Sequence, residues 1–378
     1  MKAVLILLVG MLTMNARGMI AQAYNQFGFK LLKELARENP EKNIFISPAS
    51  LAFALSMAAN GANGDTSREM CAALGVSRDD LISANKDLLD KLAAVDPGVK
   101  LEIANAIWVD SKAAIKPAYL AANQDAFHAM IANADFQSPA TVGAINLWVR
   151  GATHDKIHDI VSPPLNPLDR MILLNAVYFK GEWMSKFDKT LTRDKSFTTG
   201  GGASIMAPRM AKTGKMRYGE NPFCQAVALP YGGHAATMIV FLPAGKLSSL
   251  IDAAPSMEPL FDLRNGTLEL PRFKMENSYE LIPALKAVGI TKAFGPQADF
   301  SGMSDEPLAI SDVKQKTYVD VNEEGTEAAA VTSVGMRSLA VRVEQPPFRM
   351  IVDRPFLVEI TDAQTGLILF LGAIQDPR

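Results

Sequence analysis

Tyr318-Val319-Asp320-Val321-Asn322-Glu323 runs without a break into Glu324-Gly325-Thr326-Glu327-Ala328-Ala329-Ala330-Val331-Thr332-Ser333-Val334-Gly335. The first part alternates β-formers with polar residues and reads as a strand. In the second part, alternation sends Thr326, Ala328, Ala330, Thr332 and Val334 one way and Glu327, Ala329, Val331, Ser333 and Gly335 the other. The first of these rows is small and uncharged, so it can enter a sheet interior. No proline occurs from Gly325 to Gln345, and an unbroken row of backbone donors and acceptors is what a segment needs to pair as a central strand. A surface linker needs neither property.

Upstream of this stretch, helices come first. From Ile20 to Arg37, Tyr24, Phe27, Phe29, Leu31, Leu32 and Leu35 recur at helical spacing, and Asn39-Pro40 closes the segment, which predicts an amphipathic helix. Ser47-Pro48 opens Leu51 to Ala59, apolar on nearly every side and ended by Gly61 and Gly64; this predicts a helix buried inside the protein. Residues 66–75 and 77–94 continue helical. The second sets Asp79, Asp80, Asp87 and Asp90 against Arg78, Lys86 and Lys91, a solvated face rather than a polyanion site. In the second half, Leu268-Glu269-Leu270 before Pro271, Tyr318 to Val321, Phe356 to Ile360 and Leu367 to Leu371 read as short strands. The order predicts an α+β architecture without the alternating rhythm of a doubly wound sheet.

Composition narrows the function classes. Lys and Arg total 38 against 40 Asp and Glu, so a general nucleic-acid binder is not expected, and 48% hydrophobic residues suffice for a large core. Length alone allows two or three domains at roughly 150 residues each, but no internal repeat or biased linker divides the chain, which predicts one unit over residues 19–378. Two cysteines, Cys71 and Cys224, make no disulfide framework and are expected as buried free thiols. At the N-terminus, Lys2 precedes ten apolar residues, Ala3 to Leu12, and then Ala16-Arg17-Gly18. This pattern predicts a secretory signal over residues 1–18 and a secreted or periplasmic protein. A cytoplasmic location goes with the alternative that Met19 is the true start. The run is shorter than the roughly 20 residues that span a bilayer, so no membrane partner is expected.

Enzyme motifs are scarce. His154-Asp155-Lys156-Ile157-His158 puts two histidines at i and i+4, which on one helix face could bind zinc, yet the glutamate base is replaced by Asp155 and no third ligand is near. Surface histidines on a helix are the expectation, with no metal and no cofactor. Gly200-Gly201-Gly202 lacks the following Lys-Ser/Thr of a phosphate loop and reads as a turn. No Gly-x-Ser-x-Gly elbow appears, and His128, His154, His158 and His234 are the whole supply of imidazole bases.

The opening stretch and its companions resemble a known family. Asn322-Glu323-Glu324-Gly325-Thr326-Glu327-Ala328-Ala329-Ala330 is similar to the hinge of the serpins, and Asp353-Arg354-Pro355-Phe356-Leu357 with Phe370-Leu371-Gly372 to their C-terminal signature. Asn43-Ile44-Phe45-Ile46-Ser47-Pro48, Asn146-Leu147-Trp148-Val149 with Thr153, Lys156 and Ile157, and Leu174 to Trp183 follow the family pattern in order. So do Leu229-Pro230-Tyr231, Leu270-Pro271-Arg272-Phe273 and Ala298-Asp299-Phe300-Ser301-Gly302-Met303. The resemblance covers residues 20 to 378 approximately.

The resemblance implies three β-sheets with about nine α-helices and an exposed reactive loop over residues 323–345. It implies a suicide inhibitor of serine-type endopeptidases that acts as a monomer, with a target protease as partner and no catalysis of its own. The protease cleaves the loop, the hinge Glu323, Glu324, Gly325, Thr326, Glu327, Ala328, Ala329 and Ala330 inserts into the main sheet, and the acyl-enzyme is distorted and trapped. Counting Glu323 as one, the seventeenth residue places the scissile bond at Leu339-Ala340 and implies a chymotrypsin-, subtilisin- or elastase-like target. Arg337-Ser338 is the alternative bond, suited to a trypsin-like protease. A cysteine protease as target, or a non-inhibitory role as carrier or chaperone, is also compatible with the resemblance. Sheet opening is expected to involve Ser50, Ser56, Asn175, Gln315 and Trp183. Gln315 stands where the family commonly has a histidine, which removes a group that titrates near neutral pH.

Overall fold

In the computed structural model, residues 16–93, 96, 98–127, 129–254, 259–326 and 346–378 are described. Helices α1 (Ala16–Glu38), α2 (Pro48–Asn60), α3 (Gly64–Leu74) and α4 (Leu81–Leu92) fill the first quarter, interrupted by strand β1 (Ile44–Ile46). Then come β2 (Val99–Asp110), α5 (Pro117–Phe127), β3 (Met130–Ala134), α6 (Pro139–Ala152) and β4 (Met171–Glu182). The middle is β-rich, with β5 (Arg193–Thr198), β6 (Ser204–Glu220), β7 (Cys224–Tyr231), β8 (Ala236–Pro243), α7 (Leu247–Ala253), β9 (Asp262–Pro271), β10 (Phe273–Glu280) and α8 (Ile282–Ala287). The last part holds β11 (Ile310–Val321), β12 (Gly325–Thr326), β13 (Phe348–Ile351), β14 (Phe356–Asp362) and β15 (Ile368–Ile374). The α+β architecture read from the sequence is present.

Local chemistry explains the boundaries. The Ser47 side chain caps α2 by accepting from the Ser50 N–H at 3.4 Å, and Pro48 occupies the first turn, where its missing N–H costs nothing. Every residue from Pro48 to Ala59 is buried, as the all-round apolar pattern predicts. The helix expected over 77–94 starts later, at Leu81, because the Ser77 hydroxyl accepts from the Asp80 N–H at 3.1 Å and donates to its carboxylate at 2.6 Å, holding a turn instead. Cys71 and Cys224 are buried thiols that form no disulfide.

A six-stranded sheet runs in the order β10, β11, β12, β4, β2, β3. Strands β11 and β4 pair in parallel from Ile310 with Met171 to Thr317 with Val177, then separate, and the two residues of β12 enter the gap antiparallel to both. The other strands form a nine-stranded ladder. Two of the three implied sheets are continuous in hydrogen bonding because β6 is long enough to serve both: Arg209 to Tyr218 pair with β9, and Arg217 to Glu220 with β7. The main core lies around α1 and α2 between the sheets, and a second core beneath α6 joins Ile145, Val149 and Ile157 to Ala106, Ile172, Leu174 and Ala176 of the six-stranded sheet.

One placement differs from the sequence reading. His154 and His158 do not share a helix face, because α6 ends at Ala152. The Thr153 hydroxyl donates to the Val149 carbonyl at 2.7 Å and accepts from the Ile157 N–H at 3.1 Å, and His154 and Asp155 then turn with φ of 49° and 59°. Such left-handed backbone cannot continue a helix.

Candidate functional site

Strand β12 fills the top of the gap between β11 and β4, with Val321 opposite Thr326 on one side and Glu182 and Gly181 opposite Gly325 and Thr326 on the other. Only glycine fits at position 325. Its φ is +149°, and a Cβ there would overlap the Gly181 carbonyl oxygen. Thr326 is buried, its hydroxyl 2.8 Å from that of Tyr231. Trp183 stacks on the Tyr231 ring with centroids 4.3 Å apart and donates its indole N–H to the Asn322 carbonyl at 2.8 Å. Its own backbone N–H donates to the Glu324 carbonyl at 2.9 Å, so the tryptophan expected from the sequence grips the hinge from both sides.

The hinge carboxylates are tied down as well. Glu323 is 2% exposed and accepts from Arg272 Nε at 2.8 Å, from the same guanidinium's Nη2 and from the Thr192 hydroxyl. Burial by itself would raise its pKa; the hydrogen bonds from Arg272 and Thr192 outweigh that and hold the carboxyl below the usual range. Glu324 accepts from Lys189 and, at 3.3 Å, from Lys186, which keeps it ionised to lower pH. The other end of the 327–345 stretch returns at Pro346, whose carbonyl accepts from Arg264 Nε at 2.6 Å; Phe348 then stacks on Tyr218 at 4.1 Å. Its two ends are thus anchored in different ladders.

Below the fork lies a rung of amides. Gln315, Asn175 and Asn105 are Cα partners across β11, β4 and β2. Gln315 Nε2 donates to Asn175 Oδ1 at 2.5 Å and to the Ser47 carbonyl at 2.9 Å, while its Oε1 accepts from the Ser47 N–H at 3.0 Å. Asn175 Nδ2 donates to Asn105 Oδ1 at 2.5 Å and to the Ser50 hydroxyl. The glutamine therefore uses both faces of its amide, one across the strand seam and one down to the cap of α2.

Ser56 is not part of this cluster. Six residues along a helix of 3.6 per turn rotate it about 240° from Ser50, and its hydroxyl meets the Tyr24 phenol at 2.8 Å, which donates on to Asn85 Oδ1 at 2.8 Å. Asn105 and Ser47 complete the cluster instead, neither of them expected from the sequence. Asn105 could have been found as the lone amide in the apolar run Ile103-Ala104-Asn105-Ala106-Ile107; Ser47 contributes backbone groups, which leave no trace in a side-chain pattern. Glu327, Ala328, Ala329, Ala330, Arg337, Ser338, Leu339, Ala340 and the N-terminal segment up to residue 15 lie outside the described residues. Among the described residues no group of three metal-ligating side chains comes together, and no helix is long and apolar enough to cross a membrane.

Mechanically, this arrangement is a sheet half open at one end with a strand already started in the opening. To continue that strand, the parallel β11–β4 pairs and the amide rung must break, and two antiparallel ladders, slightly stronger per residue, replace one parallel ladder.

Comparison with known proteins agrees with this geometry. A family profile described as Serpin (serine protease inhibitor) matches residues 22–377. Iripin-5 of Ixodes ricinus is 36% identical, the match covering 99% of each chain. Intracellular coagulation inhibitor 2 of Tachypleus tridentatus is 35% identical over 94% of this chain and 90% of its own. The crystal structure of Serpin48, a highly specific serpin of the insect Tenebrio molitor, superposes with a TM-score of 0.85 at 30% identity, covering 95% of this chain and 98% of the other. With a family match over nearly its whole length and relatives more than 30% identical across almost all of both chains, this chain belongs to the serpin family.

Proposed function

We propose that the protein inhibits a serine-type endopeptidase by offering residues 327–345 as bait and trapping the enzyme after cleavage. One observation carries the reading: β12 begins a central strand at the mouth of the β11–β4 gap, with the small, uncharged row Ala328, Ala330 and Thr332 next in sequence to follow Thr326 into the sheet. Cleavage at Leu339-Ala340 leaves fourteen residues from Thr326 to Leu339, which at about 3.3 Å each extend roughly 46 Å. A protease acylated on Leu339 is carried that distance. A displacement of about 1 Å in a catalytic group costs on the order of 100-fold in rate, so hydrolysis of the acyl-enzyme stops. Inhibition is a race between insertion and deacylation, and small hinge residues favour insertion.

Cleavage at Arg337-Ser338 is the second site, which shortens the arm by two residues. Support for an inhibitory role includes the relative named as a coagulation inhibitor. The apolar run at residues 3–12 supports export of the protein.

The test is incubation with chymotrypsin, subtilisin, elastase and trypsin separately, followed by denaturing gels and mass measurement of the released C-terminal peptide. A detergent-stable complex with a peptide starting at Ala340 is the expected result. A peptide starting at Ser338 moves the target to trypsin-like enzymes, and clean cleavage without complex from all four would sink the inhibitory reading in favour of a carrier or chaperone.

A further inference from the structure

The last β11–β4 pair is Thr317 with Val177, so Tyr318 and Tyr178 are the next rung, the first one at which the strands have separated. Both tyrosines are held by the same short turn after α6. The His154 ring sits edge-on to Tyr178 with centroids 4.8 Å apart, and the Lys156 ammonium lies 5.6 Å from the centroid of Tyr318. His154 is further bound on its own side, where its Nε2 stands 2.5 Å from the Glu102 carboxylate. Glu102 is the Cα partner of Tyr178, and Lys100 Nζ holds the other carboxylate oxygen at 3.1 Å. The turn itself is fixed to α6 by the Asp155 N–H donating to the Arg150 carbonyl at 2.9 Å.

We propose that residues 153–156 form a clasp across the opening seam, with His154 gripping β2 and β4 and Lys156 gripping β11, and that release of Lys156 from Tyr318 sets the rate of strand insertion. This rests on the insertion reading above. Strands β2 and β4 pair with each other from Val99 to Val109 and move together. A new strand between β4 and β11 separates them by a further strand spacing of about 4.8 Å. That carries Tyr318 beyond the roughly 6 Å over which an ammonium is attracted to a ring face. Lys274, 5.7 Å from the same ring, sits on β10 opposite Asp320 of β11 and travels with Tyr318, so its contact survives. Lys156 and His154 are thus positioning residues that tune the race between insertion and deacylation.

The test needs no target protease. A synthetic acetylated peptide with the sequence of residues 326–339 is mixed with the intact protein, and its uptake is followed by native gel. We expect Lys156→Ala to take up peptide about fivefold faster than the unsubstituted protein, His154→Ala to be faster as well, and Lys156→Arg, which keeps the cation, to match the original rate. Because the contact also stabilises the closed protein against unfolding, the unfolding temperature without peptide should fall by no more than about 2–4 °C in Lys156→Ala and stay at the parent value in Lys156→Arg. Equal uptake by Lys156→Ala and the parent, equal acceleration by Lys156→Arg, or a fall in the peptide-free unfolding temperature of Lys156→Ala well beyond that range each overturns the clasp and leaves insertion standing. Absence of uptake in every protein overturns insertion, and the clasp with it.

Discussion

Gln315 and Asn175 face each other across the β11–β4 seam, the parallel pairing that the proposed insertion would open, and their amides meet at 2.5 Å two residues below the last pair of that seam. Replacing Gln315 by Leu takes the partner from Asn175 Oδ1 and from the Ser47 N–H in a buried site, each worth about 1–3 kcal/mol, while the Ser47 carbonyl keeps the Leu51 N–H at 3.2 Å. A lower unfolding midpoint in denaturant, together with faster peptide uptake, is the expected outcome. Unchanged values for both would remove the amide rung from the account.

Because an amide does not titrate near neutrality, this rung contributes no pH dependence between about pH 6 and 8. Gln315→His introduces a titratable group there. The rate of peptide uptake by this variant should change with pH across that interval relative to the parent; parallel profiles for the two proteins would count against a role for the site in opening.

Glu323 supplies a different pH dependence, at the acid end. Its folded pKa lies below the ordinary value of 4.5, so the Arg272–Glu323–Thr192 tie contributes stability that is complete above that value and is lost as pH falls through the lower, folded one. Trp183 reports on it, since its indole N–H is bonded to the carbonyl of Asn322, the neighbouring residue. Tryptophan fluorescence should show an acid transition below pH 4.5 that is absent in Glu323→Gln. Identical transitions in the two proteins would assign the event elsewhere.

Gly325→Ala tests the entry strand directly. At φ +149°, with the Gly181 carbonyl oxygen in the space the added carbon would take, alanine is strained by roughly 1–3 kcal/mol, and the cheapest relief is withdrawal of β12 from the gap. Faster hydrogen exchange at the Thr326 amide is the expected result, measured by mass spectrometry of the peptide that contains it. Protection equal to that of the parent would show that the gap tolerates a side chain.

Much of this is legible in the sequence, for identifiable reasons. The short strand at Gly325 and Thr326 is legible because it continues the β-forming run Tyr318 to Val321 without a proline, and α2 because twelve consecutive residues from Pro48 to Ala59 are buried and so carry no polar stripe. Ser56 is misplaced by the family resemblance and not by the pattern of residues: six positions along the helix predicted after Ser47-Pro48 already turn it about 240° away from Ser50. Sequence alone draws His154 onto a helix, because spacing counts residues, whereas the end of α6 is decided by one threonine hydroxyl competing for backbone groups. The continuity of the two smaller sheets follows from where β6 changes partner, which depends on contacts remote in sequence.

An arginine at Ala328 would have to enter the sheet interior beside the position already taken by buried Thr326. Desolvating that charge costs several kcal/mol, enough to let deacylation win. Ala328→Arg should therefore be cleaved by any protease that the parent traps, with a stoichiometry of inhibition raised at least about tenfold. Equal stoichiometry for the two proteins would mean that position 328 stays outside the sheet.

The central claim is that the cleaved loop becomes a strand between β11 and β4, and calorimetry of the intact protein and of protein nicked between residues 327 and 345 tests it most directly. A gain of two antiparallel ladders predicts that the nicked form unfolds at a temperature higher by more than about 10 °C. A nicked form that unfolds at or below the temperature of the intact protein would contradict insertion.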